Sequence, residues 1–312
     1  MTNTAPNPLL AIIGPTGVGK TALSLKLAIA FEGEVVSADS RQVYRGLDIG
    51  TAKATPEERA RVPHHLLDVV DPDQTLSLAE FQEKAYRAID EVHRRGRLPL
   101  LVGGTGQWVR AVLEGWRIPR VPPDPSFREA LEEEAQRLGP AALHARLAGV
   151  DPAAAGKLDP RNTRRVIRAL EVFHKTGQPI SRQQQKEPPP YRVLQIGLTM
   201  PRPALYERID RRIEAMLERG LLAEVQGLHD RGYAWDLPAM SGLGYRQIGL
   251  YLQGQTTLEE AVALLKKETR RFIRQQYNWF RLDAPDIAWY DVSQDVEPLI
   301  QKRVRGFLER SP

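Results

Sequence analysis

The sequence predicts an α/β fold: a parallel sheet flanked by helices, with an inserted all-helical domain. Three observations predict it. Over the first 115 residues, short apolar segments alternate with amphipathic helical segments, which is typical of a parallel sheet covered by helices. A glycine-rich loop, GPTGVGKT, joins the first strand to the first helix. Residues 126–175 then show only helical patterns, between two proline-rich stretches.

The predicted strands are short apolar runs. Residues 9–13 (LLAII) and 98–104 (LPLLVGG) suit strands that are buried on both faces. Residues 34–40 (EVVSADS) form a second strand that ends in polar residues. Residues 193–200 (VLQIGLTM) return the chain to the sheet.

Capping residues mark where helices begin. Thr55 and Ser77 each stand three residues before a glutamate, a spacing that predicts a capping box. The helix after the glycine loop should bury Leu23, Leu27 and Ala30. The helix after Ser77 should bury Phe81, Ala85, Ile89 and Val92. Later helices are predicted at 203–219, 221–231 and 257–280.

Two proline-rich connections bound the predicted insertion. WRIPRVPPDP begins at residue 116 and KEPPPY ends at residue 191. We therefore expect a helical insertion domain at residues 117–192. Residues 1–116 and 193–312 should form the core that carries the glycine-rich loop.

Charge is unevenly distributed along the 312 residues, whose net charge is +5. Residues 161–192 hold eight Lys or Arg against two acids, and residues 266–281 hold six against one. Such blocks are expected of a protein that binds a phosphate-rich macromolecule. Two solvated helix faces are an equally good explanation from charge alone.

Composition excludes several classes of site. The chain has no cysteine, which excludes disulfides and cysteine-ligated zinc or iron–sulfur centres. No apolar run reaches membrane-spanning length, and the segment MTNTAPNPLL lacks the features of a secretory signal. We expect a cytoplasmic protein that does not enter a membrane.

Residues 14–21 match the phosphate-loop pattern G-x-x-x-x-G-K-[ST] between a strand and a helix, which predicts a P-loop NTPase-like fold. Glycines let backbone N–H groups converge on phosphate oxygens at the positive end of a helix dipole. Lys20 supplies positive charge, and the Thr21 hydroxyl is a predicted ligand of Mg²⁺. The predicted phosphate-binding residues are Gly14, Pro15, Thr16, Gly17, Val18, Gly19, Lys20 and Thr21.

The strand LPLLV lacks the carboxylate with which a nucleoside triphosphatase of this class coordinates its metal. It ends in GGTGQW instead. The first acidic candidate is Asp39, after the neighbouring strand, where ligands bind in such folds. Asp39 could hold Mg²⁺ through water or accept a proton from a nucleophile. The alternative is an aspartate that caps a turn.

Six motifs occur in an order typical of one enzyme family: GPTGVGKT, SADSRQVYRGLDIGTAK, PHHLLDVVDP, LLVGGTG, DPRNTRRVIRALEV and GLGYRQ. Over residues 9–282 the chain resembles bacterial tRNA dimethylallyltransferases, also called tRNA isopentenyltransferases or tRNA prenyltransferases. The resemblance implies transfer of a dimethylallyl group from dimethylallyl diphosphate to N6 of adenosine 37, next to the tRNA anticodon. Pyrophosphate leaves, and N6-isopentenyladenosine is formed.

The resemblance also implies roles for individual residues. Residues 14–21 would bind the diphosphate with Mg²⁺, and Asp39 would act as general base toward the adenine amine. Thr105 would lie near the reacting centre, although a tight-turn threonine is an equal alternative. Arg212 matches the arginine that contacts the diphosphate better than Arg208, for which a solvated position is the alternative. The motifs place tRNA contacts at Asp39, Ser40, Arg41, Gln42, Tyr245, Arg246 and Gln247.

Two basic stripes would extend the tRNA surface, because arginines on one helix face suit a phosphate backbone. One comprises Arg161, Arg164, Arg165 and Arg168, so the insertion is predicted to contact tRNA. The other comprises Lys267, Arg270, Arg271 and Arg274. Tyr277, Trp279 and Phe280 could stack on displaced bases, although a core position is more usual for the last two.

The expected partners are dimethylallyl diphosphate and the anticodon stem-loop of tRNA, and a monomer is compatible with the sequence. Two other functions remain open at this stage. The phosphate loop alone would also fit a small-molecule kinase, which would bind ATP and ignore tRNA. The charge pattern alone would also fit an RNA-binding module without catalysis.

Overall fold

The structure, a computed structural model, describes residues 6–310. The strands in this range are β1 (Asn7–Ile13), β2 (Gly33–Ser37), β3 (His64–His65), β4 (Leu98–Gly103), β5 (Tyr191–Thr199) and β6 (Ile287–Asp291). They form one sheet in the order β3-β2-β4-β1-β5-β6, and each neighbouring pair is parallel. The predicted α/β class with a parallel sheet is confirmed.

The described helices are α1 (Lys20–Ala30), α2 (Pro56–Arg61), α3 (Leu78–Arg94), α4 (Gly106–Leu113), α5 (Pro125–Leu138), α6 (Pro140–Val150), α7 (Pro152–Ala155), α8 (Thr163–Thr176), α9 (Ile180–Gln183), α10 (Arg202–Glu218), α11 (Leu221–Asp230), α12 (Tyr245–Leu252), α13 (Leu258–Trp279) and α14 (Glu297–Glu309). Both predicted capping boxes, at Thr55 and Ser77, are present. Ala30 is exposed, contrary to prediction, while Leu25 and Ala28 are buried on α1. None of the helices in residues 6–310 is long and apolar enough to cross a bilayer.

The chain divides into two compact units. One unit combines the chain through Leu113 with the chain from Pro190 onward, and it contains the whole sheet. The other, Glu114–Pro189, contains α5 to α9. The sheet resumes at Tyr191, two residues before the predicted strand.

Alternate residues of β1 face two different apolar cores. Leu9 and Ile13 belong to a cluster with buried residues of α3, α11 and α12. Leu10 and Ile12 belong to a second cluster with buried residues of α1, α10 and α14. Because successive side chains of a strand point to opposite faces, the sheet is covered by helices on both sides.

A buried carboxylate ties together two helices of the helical unit. The Glu171 side chain on α8 has no exposed surface, and it accepts hydrogen bonds from Arg128 of α5 at 2.7 Å and Arg168 at 2.5 Å. The backbone N–H of Asp124 donates a further bond at 2.8 Å. Burial disfavours the charged form, but these bonds prevail and lower the pKa of Glu171 to about 2.

We expect Glu171→Gln to weaken this unit, because two arginines would lose their charged partner. The loss should be about 3 kcal/mol, at the low end for a broken buried pair since both arginines are partly exposed. A folded-state pKa below the unfolded value means that this stabilisation exists above the unfolded pKa and disappears as pH falls through about 2. Urea denaturation at pH 7 followed by circular dichroism measures it. Glu133→Gln on α5, an exposed carboxylate, is the control, and equal midpoints for the two variants would contradict the prediction.

Candidate active site

Three loops meet where parallel strands end. Ile13 of β1 pairs with Gly103 of β4, and β4 pairs in turn with β2. The phosphate loop follows β1, Asp39 follows β2 and Thr105 follows β4. Because the strands run parallel and end close together, the three predicted groups share the carboxyl edge of the sheet.

The phosphate loop has left-handed backbone where its glycines predict it. Gly17 and Gly19 have φ angles of 83° and 109°, and α1 begins at the next residue, Lys20. The Nζ of Lys20 donates hydrogen bonds to the carbonyls of Gly14 at 3.0 Å and Pro15 at 2.9 Å. The lysine therefore closes the loop on itself.

Lys20, Asp39 and Arg212 form one electrostatic group. Desolvation of its ammonium group lowers the pKa of Lys20 to about 8. The carboxylate of Asp39 opposes this shift, and the guanidinium of Arg212 adds to it. Desolvation also lowers the pKa of Arg212, and the carboxylate of Asp39 again opposes the shift. Above a pH of about 8 the loop therefore loses one positive charge.

Arg208 also lies at the phosphate loop. Its Nη2 would be 3.4 Å from a Cβ built on Gly19, and it acts electrostatically on Arg212 one turn further along α10. Although Arg208 is exposed, both arginines of this helix face belong to the candidate site. The sequence favoured only Arg212.

Asp39 shapes the turn that follows β2. Its Oδ1 accepts hydrogen bonds from the backbone N–H groups of Arg41 at 2.8 Å and Gln42 at 3.4 Å. The N–H of Ser40 donates to Thr105 Oγ1 at 3.2 Å. The loops after β2 and β4 are thus joined directly beside Asp39.

The next two residues of the motif make contacts within the protein. Arg41 donates to the Pro238 carbonyl at 2.5 Å and to Ser241 Oγ at 3.2 Å. Gln42 accepts from Ser37 Oγ at 3.0 Å. Both side chains are only partly exposed, so a tRNA contact at either would have to share the side chain with these bonds.

Two charged side chains, which sequence reasoning missed, hold the rest of this motif. Lys53, with a side chain 1% exposed, donates to Asp48 and Asp68 at 2.6 Å each. The Glu224 carboxylate of α11 accepts the backbone N–H groups of residues 48, 49 and 50 at 2.7 to 3.1 Å. The available signal for Lys53 in the sequence was its short spacing from Asp48, an opposite charge in a motif with few apolar residues.

Tyr245 and Gln247, expected to contact tRNA, are 1% and 0% exposed. The Tyr245 hydroxyl donates to Glu224 at 2.5 Å. Gln247 donates to Glu268 at 2.5 Å. Both side chains are therefore engaged within the protein, where they help to pack α12, and a tRNA contact at these two positions stays a prediction. Arg246 is exposed but pairs with Glu268.

The basic stripe of α13 is narrower than predicted. Arg270 pairs with Asp210 at 2.5 Å, whereas Lys267, Arg271 and Arg274 are exposed. Phe280 is buried, in agreement with the core alternative. Gln276, which the sequence did not single out, is buried on the same helix. Its spacing from the buried Ile273 was the available signal.

The basic stripe of the helical unit is also narrower. Arg161 precedes α8 and pairs with Asp159 at 2.7 Å, so it does not belong to the helical face. Arg168 is engaged by the buried Glu171. Arg164 and Arg165 remain as exposed arginines of α8.

The carboxyl edge of the sheet thus combines a phosphate loop after β1, the adjacent strand β4 that ends in glycine, and a carboxylate after β2, the next strand along; this is a P-loop-type protein whose central strand lacks the usual acid. The chain belongs to the IPP transferase family, whose model matches residues 42–283. The family resemblance read from the six motifs is thereby confirmed.

Individual proteins similar to this chain point to the same family. A tRNA dimethylallyltransferase of Roseiflexus sp. (strain RS-1) is 62% identical over 88% of this chain and 90% of its own length. The structure of a tRNA isopentenylpyrophosphate transferase from Bacillus halodurans, 45% identical, matches with a TM-score of 0.72 over 97% of each chain. A eukaryotic dimethylallyltransferase acting on tRNA, 29% identical, matches with a TM-score of 0.83 over 98% of this chain and 80% of its own.

The electrostatic group predicts how the pKa of Lys20 responds to substitution. Asp39→Asn should lower it further below about 8, and Arg212→Met should raise it, because the carboxylate favours the ammonium and the guanidinium opposes it. Side-chain ¹³C NMR of lysines against pH measures both shifts. Lys26 is the internal control, since its hydrogen bond to Glu297 raises its pKa. Lys20 titrating together with Lys26 would contradict the grouping.

Proposed function

We propose that this protein is a tRNA dimethylallyltransferase that transfers a dimethylallyl group from dimethylallyl diphosphate to N6 of adenosine 37, releasing pyrophosphate. The observation that carries the proposal is that Lys20 of the phosphate loop interacts electrostatically with the carboxylate of Asp39, which follows β2 at the same edge of the sheet. Family membership supports the same reaction.

In the proposed reaction the bond between the prenyl carbon and the diphosphate oxygen breaks, and its electron pair leaves with pyrophosphate. The adenine N6 forms the new bond to that carbon and loses one proton. Lys20, Arg208 and Arg212 lie where positive charge would stabilise the leaving group, together with the N–H groups of the loop. Charge that is fixed in place before reaction is an effective source of rate enhancement.

Asp39 is the proposed general base. Its Oδ1 is engaged by the backbone of the turn, whereas Oδ2 has no hydrogen bond within residues 6–310. One oxygen can therefore hold the carboxylate in place while the other receives the N6 proton. Thr105, bonded to the neighbouring Ser40, would stand beside this transfer.

Mg²⁺ is the proposed metal. Within residues 6–310 no group of three acidic or histidine side chains could hold an ion by itself. Mg²⁺ commonly uses one or two side chains together with substrate phosphates and water, so the hydroxyl of Thr21, partly exposed in the first turn of α1, fits such an ion. When bound, it would neutralise charge on the diphosphate.

The proposed partner is the anticodon stem-loop of tRNA. Arg164 and Arg165 on α8, and Arg271 and Arg274 on α13, are exposed and suit phosphate contacts. Because tRNA would be the acceptor, we expect the protein to act in the cytoplasm and without a membrane. A monomer would suffice for every contact named here.

Asp39→Asn tests the base. The amide keeps an oxygen for the turn but cannot take a proton at neutral pH, so single-turnover transfer should fall about 10²- to 10⁴-fold while tRNA affinity stays the same. Labelled dimethylallyl diphosphate, Mg²⁺ and unmodified tRNA provide the assay. Wild-type enzyme that transfers no label would refute the function. Transfer of phosphate from ATP to a metabolite would favour a kinase. If the variant loses tRNA affinity as much as it loses transfer rate, Asp39 is a binding group and not the base.

Arg164→Ala with Arg165→Ala tests the helical unit. If both arginines neutralise phosphates of a single-stranded loop, the slope of log affinity against log salt should become shallower by about 1.4, at about 0.7 for each. Filter binding measures this slope over a salt range of roughly 50 to 300 mM. Lys302→Ala with Arg303→Ala, equally exposed on α14, is the control. An unchanged slope would remove Arg164 and Arg165 from the interface.

A further inference from the structure

Gln276 is a buried amide on α13 to which the reaction described above gives no role. Its side chain is 3% exposed. The Oε1 accepts the backbone N–H of Thr16 at 2.8 Å, and Nε2 donates to the carbonyl of Gly104 at 3.0 Å. Because a buried amide is costly unless its donor and acceptor are paired, these two bonds hold the side chain in one orientation.

The two bonds reach two different loops of the candidate site. Thr16 lies in the phosphate loop after β1, and Gly104 lies after β4, directly before Thr105. Thr105 in turn accepts the N–H of Ser40, the residue that follows Asp39. One side chain from a helix outside both loops therefore joins the diphosphate side of the site to the side that carries the proposed base.

Close packing makes this arrangement specific. A Cβ on Gly104 would lie 2.4 Å from Gln276 Nε2 and 3.3 Å from Lys20 Nζ, so a larger residue there would displace the Gln276 amide. Three residues along α13, Trp279 lies equally close to Gly106, where a Cβ would be 2.2 Å from its ring. One face of α13 thus packs directly on the turn of residues 104–106.

We propose that Gln276 is a positioning residue for the transfer reaction. It sets the separation between the phosphate loop and the turn that carries Thr105, and it occupies the Thr16 N–H. The diphosphate is then bound by the donors after Thr16 and not by Thr16 itself. This inference rests on the proposed function, because it assigns Gln276 to the geometry of that reaction.

Kinetics of Gln276→Met test the positioning role. Methionine has a similar length but no amide, so both loops lose their tie. Because misplacement of reacting groups by about 1 Å costs about 100-fold in rate, kcat should fall about 10- to 100-fold while KM for tRNA stays within about twofold. Gln275→Met, at the exposed neighbouring position, is the matched control and should keep wild-type kcat.

The outcomes separate the inference from the function. Wild-type enzyme that transfers no label refutes the function. Active wild-type enzyme together with a Gln276→Met variant as active as Gln275→Met overturns the inference alone. A variant that raises KM for tRNA as much as it lowers kcat also overturns it, because a general structural defect would act on both.

Amide NMR of the wild-type protein gives a test that needs no variant. Inorganic pyrophosphate with Mg²⁺ should shift the amide signals of residues 17–21, and should move that of Thr16 least, since its N–H stays bonded to Gln276. A Thr16 shift as large as those of the following residues would overturn the inference. This measurement decides the matter even if Gln276→Met fails to fold.

Discussion

The parallel register of β2, β4 and β1 is the constraint on which the rest of the structure depends. Parallel pairing brings the carboxyl ends of all three strands to one edge, so three loops distant in sequence must meet there. The phosphate loop, Asp39 and Thr105 acquire a common location from this pairing alone. A register shift of one residue would turn side chains to the opposite face and separate the groups.

Bringing loops together does not hold them at the required distance, and polar side chains paired within the protein supply that precision. Gln276 joins two of the loops, and Glu224 and Lys53 hold the segment after Asp39. Gln276 and Lys53 are buried, Glu224 is partly exposed, and all three are paired. An unpaired buried group would destabilise the fold. The same pairing that stabilises the protein therefore also orders the candidate site.

Asp39 illustrates how one side chain serves both purposes. A turn cap and a general base were competing interpretations of its position in the sequence. In the structure Oδ1 caps the turn, and Oδ2 remains able to accept a proton. The two interpretations are therefore compatible. Lys20 is similar: it bonds to its own loop, yet its lowered pKa leaves its charge responsive to a bound anion.

Much of this protein was predictable from local signals, because local physics produces them. Apolar runs indicated the buried strands, capping boxes at Thr55 and Ser77 marked two helices, and glycine spacing identified the phosphate loop. These features depend on residues within a few positions of one another. The motifs likewise identified the family correctly.

Tertiary structure alone decided which polar residues face outward. Tyr245 and Gln247 are buried and Arg246 is exposed, although all three stand in one motif. Arg168 pairs with a buried glutamate while Arg164 does not. Arg168 pairs within its own helix, but its partner Glu171 also binds Arg128 of α5. The buried side chains of Tyr245, Gln247 and Gln276 have partners that lie 21 to 260 positions away in sequence. No local pattern encodes those pairings, because burial and charge pairing are settled only when distant elements pack.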